Sequence, residues 1–175
     1  ILITPAFYLF LITIRDFVSM KLKNLSQNIA HFGFSLLILS ILFNNILSTE
    51  TITNLKVGET FQAKNYKINF ESIDQEERQN FQSFIAKFNI ENSDGSIDIL
   101  KPELRVYNQP NIITSEADIK TNLFRDKFIT INVVQNQEYY NVRYQIKPLM
   151  MWIWLSVLLI SLGGLTSLIK KRYEK

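Results

Sequence analysis

The 175-residue sequence contains no cysteine. Within this chain that excludes a disulfide framework, a thiol nucleophile and any thiolate metal site, so cysteine chemistry must come from a partner. Histidine is almost as scarce: His31 stands alone, and a site with two histidine ligands cannot close inside the chain. There is no internal repeat and no low-complexity tract. The formal net charge is +3, yet no basic stripe interleaved with aromatic residues is present, which argues against nucleic acid as a partner.

What the chain does have is three apolar blocks, Ile1 to Ile14, Ile29 to Leu47 and Leu149 to Ile169, with a polar region before the last. Roughly 20 apolar residues at about 1.5 Å each cross the hydrocarbon core of a bilayer, so the second and third blocks qualify as transmembrane helices. The first is shorter and begins without Met. A signal peptide would need a basic start and a small-residue cleavage site, and the block has neither. It reads as the end of a truncated transmembrane helix, which makes the chain the expected C-terminal piece of something larger.

Orientation follows from the basic residues beside the helices. Arg15, Lys21 and Lys23 precede the second block, and Lys170, Lys171, Arg172 and Lys175 follow the third, against only Asp16 and Glu174 among the acids of those flanks. Both flanks are therefore expected in the cytoplasm. The expected division is 1–14, end of a helix; 15–27, cytoplasmic loop; 28–47, transmembrane helix carrying His31; 48–147, outer, periplasm-like β-domain; 148–169, last transmembrane helix; 170–175, cytoplasmic tail. Such a chain is multi-pass in the cytoplasmic (inner) membrane, with lipid around its helices.

The outer region alternates. "NYKINFES", "FIAKFNIE" and "YNVRYQI" alternate apolar and polar residues, with aromatic and β-branched side chains at every second position, the mark of strands with one buried face. Turn signals separate them at Lys56-Val57-Gly58-Glu59, Asn92-Ser93-Asp94-Gly95 and Gln135-Asn136-Gln137-Glu138. Ser115-Glu116-Ala117-Asp118 has a capping-box look and predicts one short helix before Phe124. The expected fold is a polytopic α-helical membrane protein fragment with an extracytoplasmic antiparallel β-domain, a small sandwich or barrel, inserted before the last transmembrane helix. Trp152 and Trp154 suit an interfacial aromatic belt, Pro148 marks the turn into the last helix, and Gly163-Gly164 would let another helix approach closely.

His31 lies about one turn inside its apolar block, where an ionisable group is costly and marks a functional site by default. At helical spacing it shares a face with Gln27 and Ser35, with Ala30 and Gly33 leaving room beside it. Ser40 and Asn44 fall on the opposite face, so segregation is partial. Three readings stay open from these residues: a hydrogen bond to a neighbouring helix, a proton relay, or ligation of a metal or heme. No second His, Cys or suitable Met lies on a facing segment.

"AHFG" opening a helix, "KPELRVY", "TSEADIKTNLFRD" and "RYQIKPLMMWIWLSVLLISLGG" resemble, in order and spacing, the C-terminal end of the CcmF family, heme lyase subunits of cytochrome c maturation. The resemblance covers nearly the whole chain. It implies a polytopic protein that receives heme from a heme chaperone and, with thiol-handling partner subunits, helps attach it to apocytochrome c outside the membrane. It also implies a resident heme b, with His31 matching one axial ligand. The second axial ligand and the segments that bind the substrate heme belong to the upstream part of the same protein, so this piece alone is not expected to be active. Gln27 or Ser35 is the local candidate to fix the other ring nitrogen of His31. Further matching positions are Pro102, Glu103, Arg105, Tyr107, Glu116, Arg125, Asp126, Pro148, Trp152, Trp154, Gly163 and Gly164. Arg105 and Arg125 are candidates to pair with heme propionates, against salt bridges to Glu103, Glu116 or Asp126, and Trp152 and Trp154 complete that propionate or docking surface. The sequence departs from the family pattern at Phe128, at Ser156 and at the "RQNF" turn around Asn80. The alternative is a non-catalytic membrane-anchored β-domain that docks partner proteins, with His31 structural.

Overall fold

The computed structural model describes residues 3–19, 25–134 and 138–173. Lys21, Lys23, Lys175 and the Gln135-Asn136-Gln137 part of the third expected turn lie outside the described residues. The elements run α1 (Ile3–Val18), α2 (Leu25–Leu47), β1 (Thr49–Leu55), β2 (Thr60–Gln62), β3 (Tyr66–Glu77), β4 (Phe81–Asn92), β5 (Ile97–Leu100), β6 (Glu103–Asn108), β7 (Asn111–Glu116), β8 (Asp118–Thr121), β9 (Arg125–Val133), β10 (Tyr140–Pro148) and α3 (Met150–Tyr173). They form two compact units. One holds the helices with residues 122–125; the other holds 49–121 and 126–146.

The β-unit consists of two antiparallel sheets, one ordered β1-β10-β9-β8 and one ordered β2-β3-β4-β6-β7 with β5 also on β4. Period-two alternation builds it. Ile68 and Phe70 of β3 pair with Ile90 and Phe88 of β4, and all four are fully buried, as are Ile129, Ile131 and Val142 from the other sheet. One core thus draws on both sheets, and the Phe70 and Phe88 rings stack at 4.5 Å. The Tyr66 and Tyr144 rings meet edge-on across the sheets at 4.9 Å. Of the two expected architectures, the sandwich is the one formed. Gly58 and Gly95 take φ of 87° and 80° at the two described turns, a conformation that glycine adopts without steric cost.

A buried ion cluster ties the sheets together. Asp98 of β5 accepts from Lys120 of β8 at 2.7 Å and from Lys127 of β9, and Lys127 also donates to Asn92 at 2.8 Å. Burial works against the Asp98 carboxylate, but the two ammonium groups and the Asn92 amide outweigh it and hold the carboxyl well below its ordinary range. Asp126 is the opposite case. Buried on β9 with Oδ1 lacking a hydrogen-bond partner, its carboxyl is pushed up by burial despite a hydrogen bond from Thr121.

The short helix expected from Ser115 onward is not there; β7 and β8 occupy the stretch. The reason lies in where the capping side chains go. Ser115 Oγ donates to Ile131 O at 2.6 Å, while the Asp118 carboxylate accepts from the Lys101 and Ile119 N–H groups at 2.6 and 2.8 Å. Neither is left to cap a helix, and pairing of β7 with β6 from Glu103↔Glu116 to Asn108↔Asn111 takes the backbone instead.

In the helical unit the Phe32 ring of α2 lies 5.8 Å from Phe10 and 5.2 Å from Phe17 of α1. Thr13 and Ser35 hydroxyls join at 2.6 Å in the same buried seam. On its other side α2 runs antiparallel to α3: Asn44 Nδ2 donates to Pro148 O at 2.5 Å, Gly33 packs on Ser156 to Ile160, and Gly163 packs on Ser26 and Ala30. The polar residues on two faces of α2 therefore serve two neighbours. Ser156 is fully buried and satisfied by donating to Trp152 O at 2.6 Å.

Candidate functional site

His31 projects from α2 into an open recess of about 420 Å³ lined by Ser26, Gln27, Ala30, Gly163, Gly164 and Ser167. Two adjacent glycines of α3 make it. A Cβ on Gly163 would lie 2.7 Å from the Ala30 nitrogen and 2.8 Å from Ser26 O, so that glycine is what lets the helices touch. A Cβ on Gly164 would meet nothing within 4 Å. The first glycine closes the helix pair and the second leaves the space beside the imidazole empty of side chain.

Among the described residues no hydrogen bond or ion pair engages the His31 ring. Of the two side chains expected to steady it, Ser35 is committed to Thr13 and to Phe32 O, whereas Gln27 lines the recess. The described residues contain no cluster of three or more His, Cys, Asp or Glu that could hold a metal ion. The donor set is thus one imidazole facing open space beside small residues. That set fits a flat group with a metal ion, such as a heme, to which His31 would offer one nitrogen ligand.

The other candidates separate. Arg105 is held in the β-unit, with Nε donating to Glu103 at 2.9 Å, Glu116 at 4.0 Å and its guanidinium over the Phe81 ring. Arg125 is exposed and among the described residues forms no ion pair. Trp152 donates its indole N–H to Leu123 O at 2.9 Å, while Trp154 is 67% exposed. Sequence reasoning missed three features: the Asp98–Lys127–Lys120 cluster, the opposite roles of Gly163 and Gly164, and the attachment of residues 123 and 124 to the first turn of α3. No signal in the sequence alone places Gly164 beside His31; that follows from the antiparallel register of α2 and α3.

Two long apolar helices, a lone imidazole at a glycine-made recess and a β-sandwich inserted between those helices define a helical scaffold with an inserted sandwich domain. The family model described as CcmF C-terminal beta-sandwich matches residues 46–148, more than half of the sequence, and the chain belongs to that CcmF family. It is 29% identical over 148 residues to cytochrome c-type biogenesis protein CcmF of Pseudomonas fluorescens, covering 85% of this chain and 22% of that protein. Against CcmF of Escherichia coli K12 the identity is 27% over 146 residues, covering 83% and 23%. A solved structure, cytochrome c heme lyase CcmF, shares the fold with a TM-score of 0.66 at 18% identity, over 82% of this chain and 24% of that one. The chain thus spans less than a quarter of the length of these relatives.

Proposed function

We propose that this chain supplies one axial ligand, His31, to a heme b within the membrane, and a periplasmic sandwich near the place where heme is attached to apocytochrome c. The observation that carries the reading is the recess beside His31, where α2 and α3 touch at Gly163 and part at Gly164. Two helices, Leu25–Leu47 and Met150–Ile169, are long and apolar enough to cross a membrane. Their flanking basic residues support a cytoplasmic start for α2 and a cytoplasmic end for α3, with the sandwich on the other side.

In this reading one ring nitrogen of His31 would hold the heme iron, and Gln27, which lines the same recess, would hold the other ring nitrogen and keep the imidazole in one orientation. Gly164, Ala30 and Ser26 leave a flat ligand room to lie against the helix pair. A heme with two histidine ligands supplies one-electron transfer. The position of His31 near the cytoplasmic end of its helix separates it from an external attachment reaction, so this ligand serves a resident heme and not the transferred one. The heme chaperone, apocytochrome c, its thiol-handling subunits and the upstream part of the same protein are the partners the reading requires.

The test is the reduced-minus-oxidised visible spectrum of the full-length protein and of His31→Ala. The reading expects the low-spin b-type bands to vanish in the variant while membrane insertion persists. Unchanged bands would make His31 a packing residue and leave the sandwich as a docking module.

A further inference from the structure

Residues 122–125 leave the sandwich sequence between β8 and β9 yet belong to the helical unit. Two backbone carbonyls fasten them there. Leu149 N–H donates to Phe124 O at 2.8 Å, and the Trp152 indole donates to Leu123 O at 2.9 Å. Leu149 itself sits at φ 60°, a left-handed conformation that non-glycine residues seldom adopt. From that conformation its own carbonyl accepts from Trp152 and Ile153 N–H. The loop is also closed internally, since Asn122 Oδ1 accepts from Phe124 and Arg125 N–H at 3.0 and 2.8 Å.

This ordered loop presents its apolar side chains outward: Leu123 is 52% and Phe124 64% exposed. Four hydrogen bonds thus hold two large apolar side chains outside any core of the helical unit. We propose that Leu123 and Phe124 form a lipid-interface anchor, inserting at the boundary of headgroups and acyl chains beside the start of α3, with Arg125 reaching lipid phosphate. This rests on the membrane reading above. The occupant is lipid because the loop is fastened through Leu149 and Trp152 to a helix whose exposed side chains are apolar, Trp154, Leu155 and Leu158 among them. It is fixed to the first turn of that helix, where an aromatic belt belongs. The guanidinium of Arg125, exposed and without an ion-pair partner among the described residues, adds the headgroup contact that such an anchor uses.

The test places one cysteine at a time in the full-length protein, in a background without other thiols, as Phe124→Cys, Leu158→Cys or Ile97→Cys. Each is labelled with an environment-sensitive nitrobenzoxadiazole dye in phosphatidylethanolamine–phosphatidylglycerol nanodiscs. Leu123→Cys replaces Phe124→Cys if the latter does not accumulate. The anchor predicts that the loop label emits to the blue of the label at 97. It also predicts at least twofold stronger quenching by shallow spin-labelled lipid, and shielding from aqueous iodide. If position 158 is lipid-quenched but the loop label behaves like the one at 97, the anchor is overturned and the membrane reading stands. A loop label shielded from iodide and lipid alike means that protein covers it, which also overturns the anchor. If position 158 escapes lipid quenching, the membrane reading falls and the anchor with it.

Discussion

The two units of this chain fill their interiors differently. The sandwich encloses large apolar side chains, Ile68, Phe70, Phe88, Ile90, Ile129, Ile131 and Val142, with no exposed surface, whereas the helical unit encloses Ser35, Ser40, Ser156 and Gly163 alongside Ala6, Leu36 and Leu39 and turns Tyr8, Phe34, Trp154, Leu158 and Leu168 outward. The first pattern is that of a domain driven together by water leaving apolar surface. In the second, the helix pair is joined by close backbone approach and small hydroxyl residues, which is how helices associate where the surroundings are as apolar as their side chains. The same residue types therefore do different work in the two units, and an exposed aliphatic side chain means one thing at Leu158 of α3 and another at Ile97 of β5.

The largest effect that would sharpen this contrast comes from matched truncations. Phe88→Ala is expected to destabilise the sandwich by about 3–5 kcal/mol, and Leu158→Ala in α3 to stay within about 0.5 kcal/mol. Thermal unfolding of the detergent-solubilised protein, followed by protease sensitivity of each unit, separates them; comparable losses would break the comparison.

Next in size is the ion cluster. Asp98→Asn leaves the buried Lys127 ammonium short of its partner, at a cost of roughly 3–5 kcal/mol near neutral pH. Because the folded carboxyl is depressed, its contribution is whole above the ordinary Asp value of about 3.9. It is lost as pH falls below that value toward the lower folded one, so wild type and variant converge in strong acid and not at neutral pH. A constant gap down to the acid limit of denaturant titrations would contradict the assignment.

A smaller effect distinguishes the paired glycines. Gly163→Ala overpacks the α2–α3 contact and is expected to cost about 1–3 kcal/mol in the helical unit, whereas Gly164→Ala, with open space around it, leaves helix packing unchanged. Melting of both variants checks this, and equal losses would mean the recess is not open.

The smallest concerns Asp126. Its folded carboxyl is raised by burial, so the native state favours the protonated form and loses stability as pH rises through the window from the unfolded value to the folded one. Asp126→Asn is expected to stabilise the sandwich by about 0.5–1 kcal/mol at neutral pH and to lose that gain in acid. A gain that persists unchanged at acid pH would assign the effect to packing.

Much of this was legible in the residues. Three of the strands, β3, β4 and β10, declare themselves through alternation, because one face of each meets a single shared core. Gly58 and Gly95 mark their turns for the reason that few other residues tolerate a positive φ there. The stretch from Ser115 to Asp118 misleads because local capping propensity is outbid by long-range partners: Ile131 O for Ser115 and the Lys101 N–H for Asp118. No local pattern carries that information. For the site, the depth of His31 was readable from hydropathy, but its surroundings were not. Spacing along α2 placed Ser35 beside it, whereas packing against α1 draws that hydroxyl to Thr13, and the open space at Gly164 exists only once α3 lies antiparallel to α2.

The most direct test of the central claim is chemical rescue of the ligand. His31→Gly in the full-length protein should lose the low-spin b-type spectrum, and added imidazole should restore it by entering the space the side chain leaves beside Gly164. Full low-spin bands in the variant without imidazole, or bands lost and indifferent to it in a folded protein, would contradict His31 as the axial ligand.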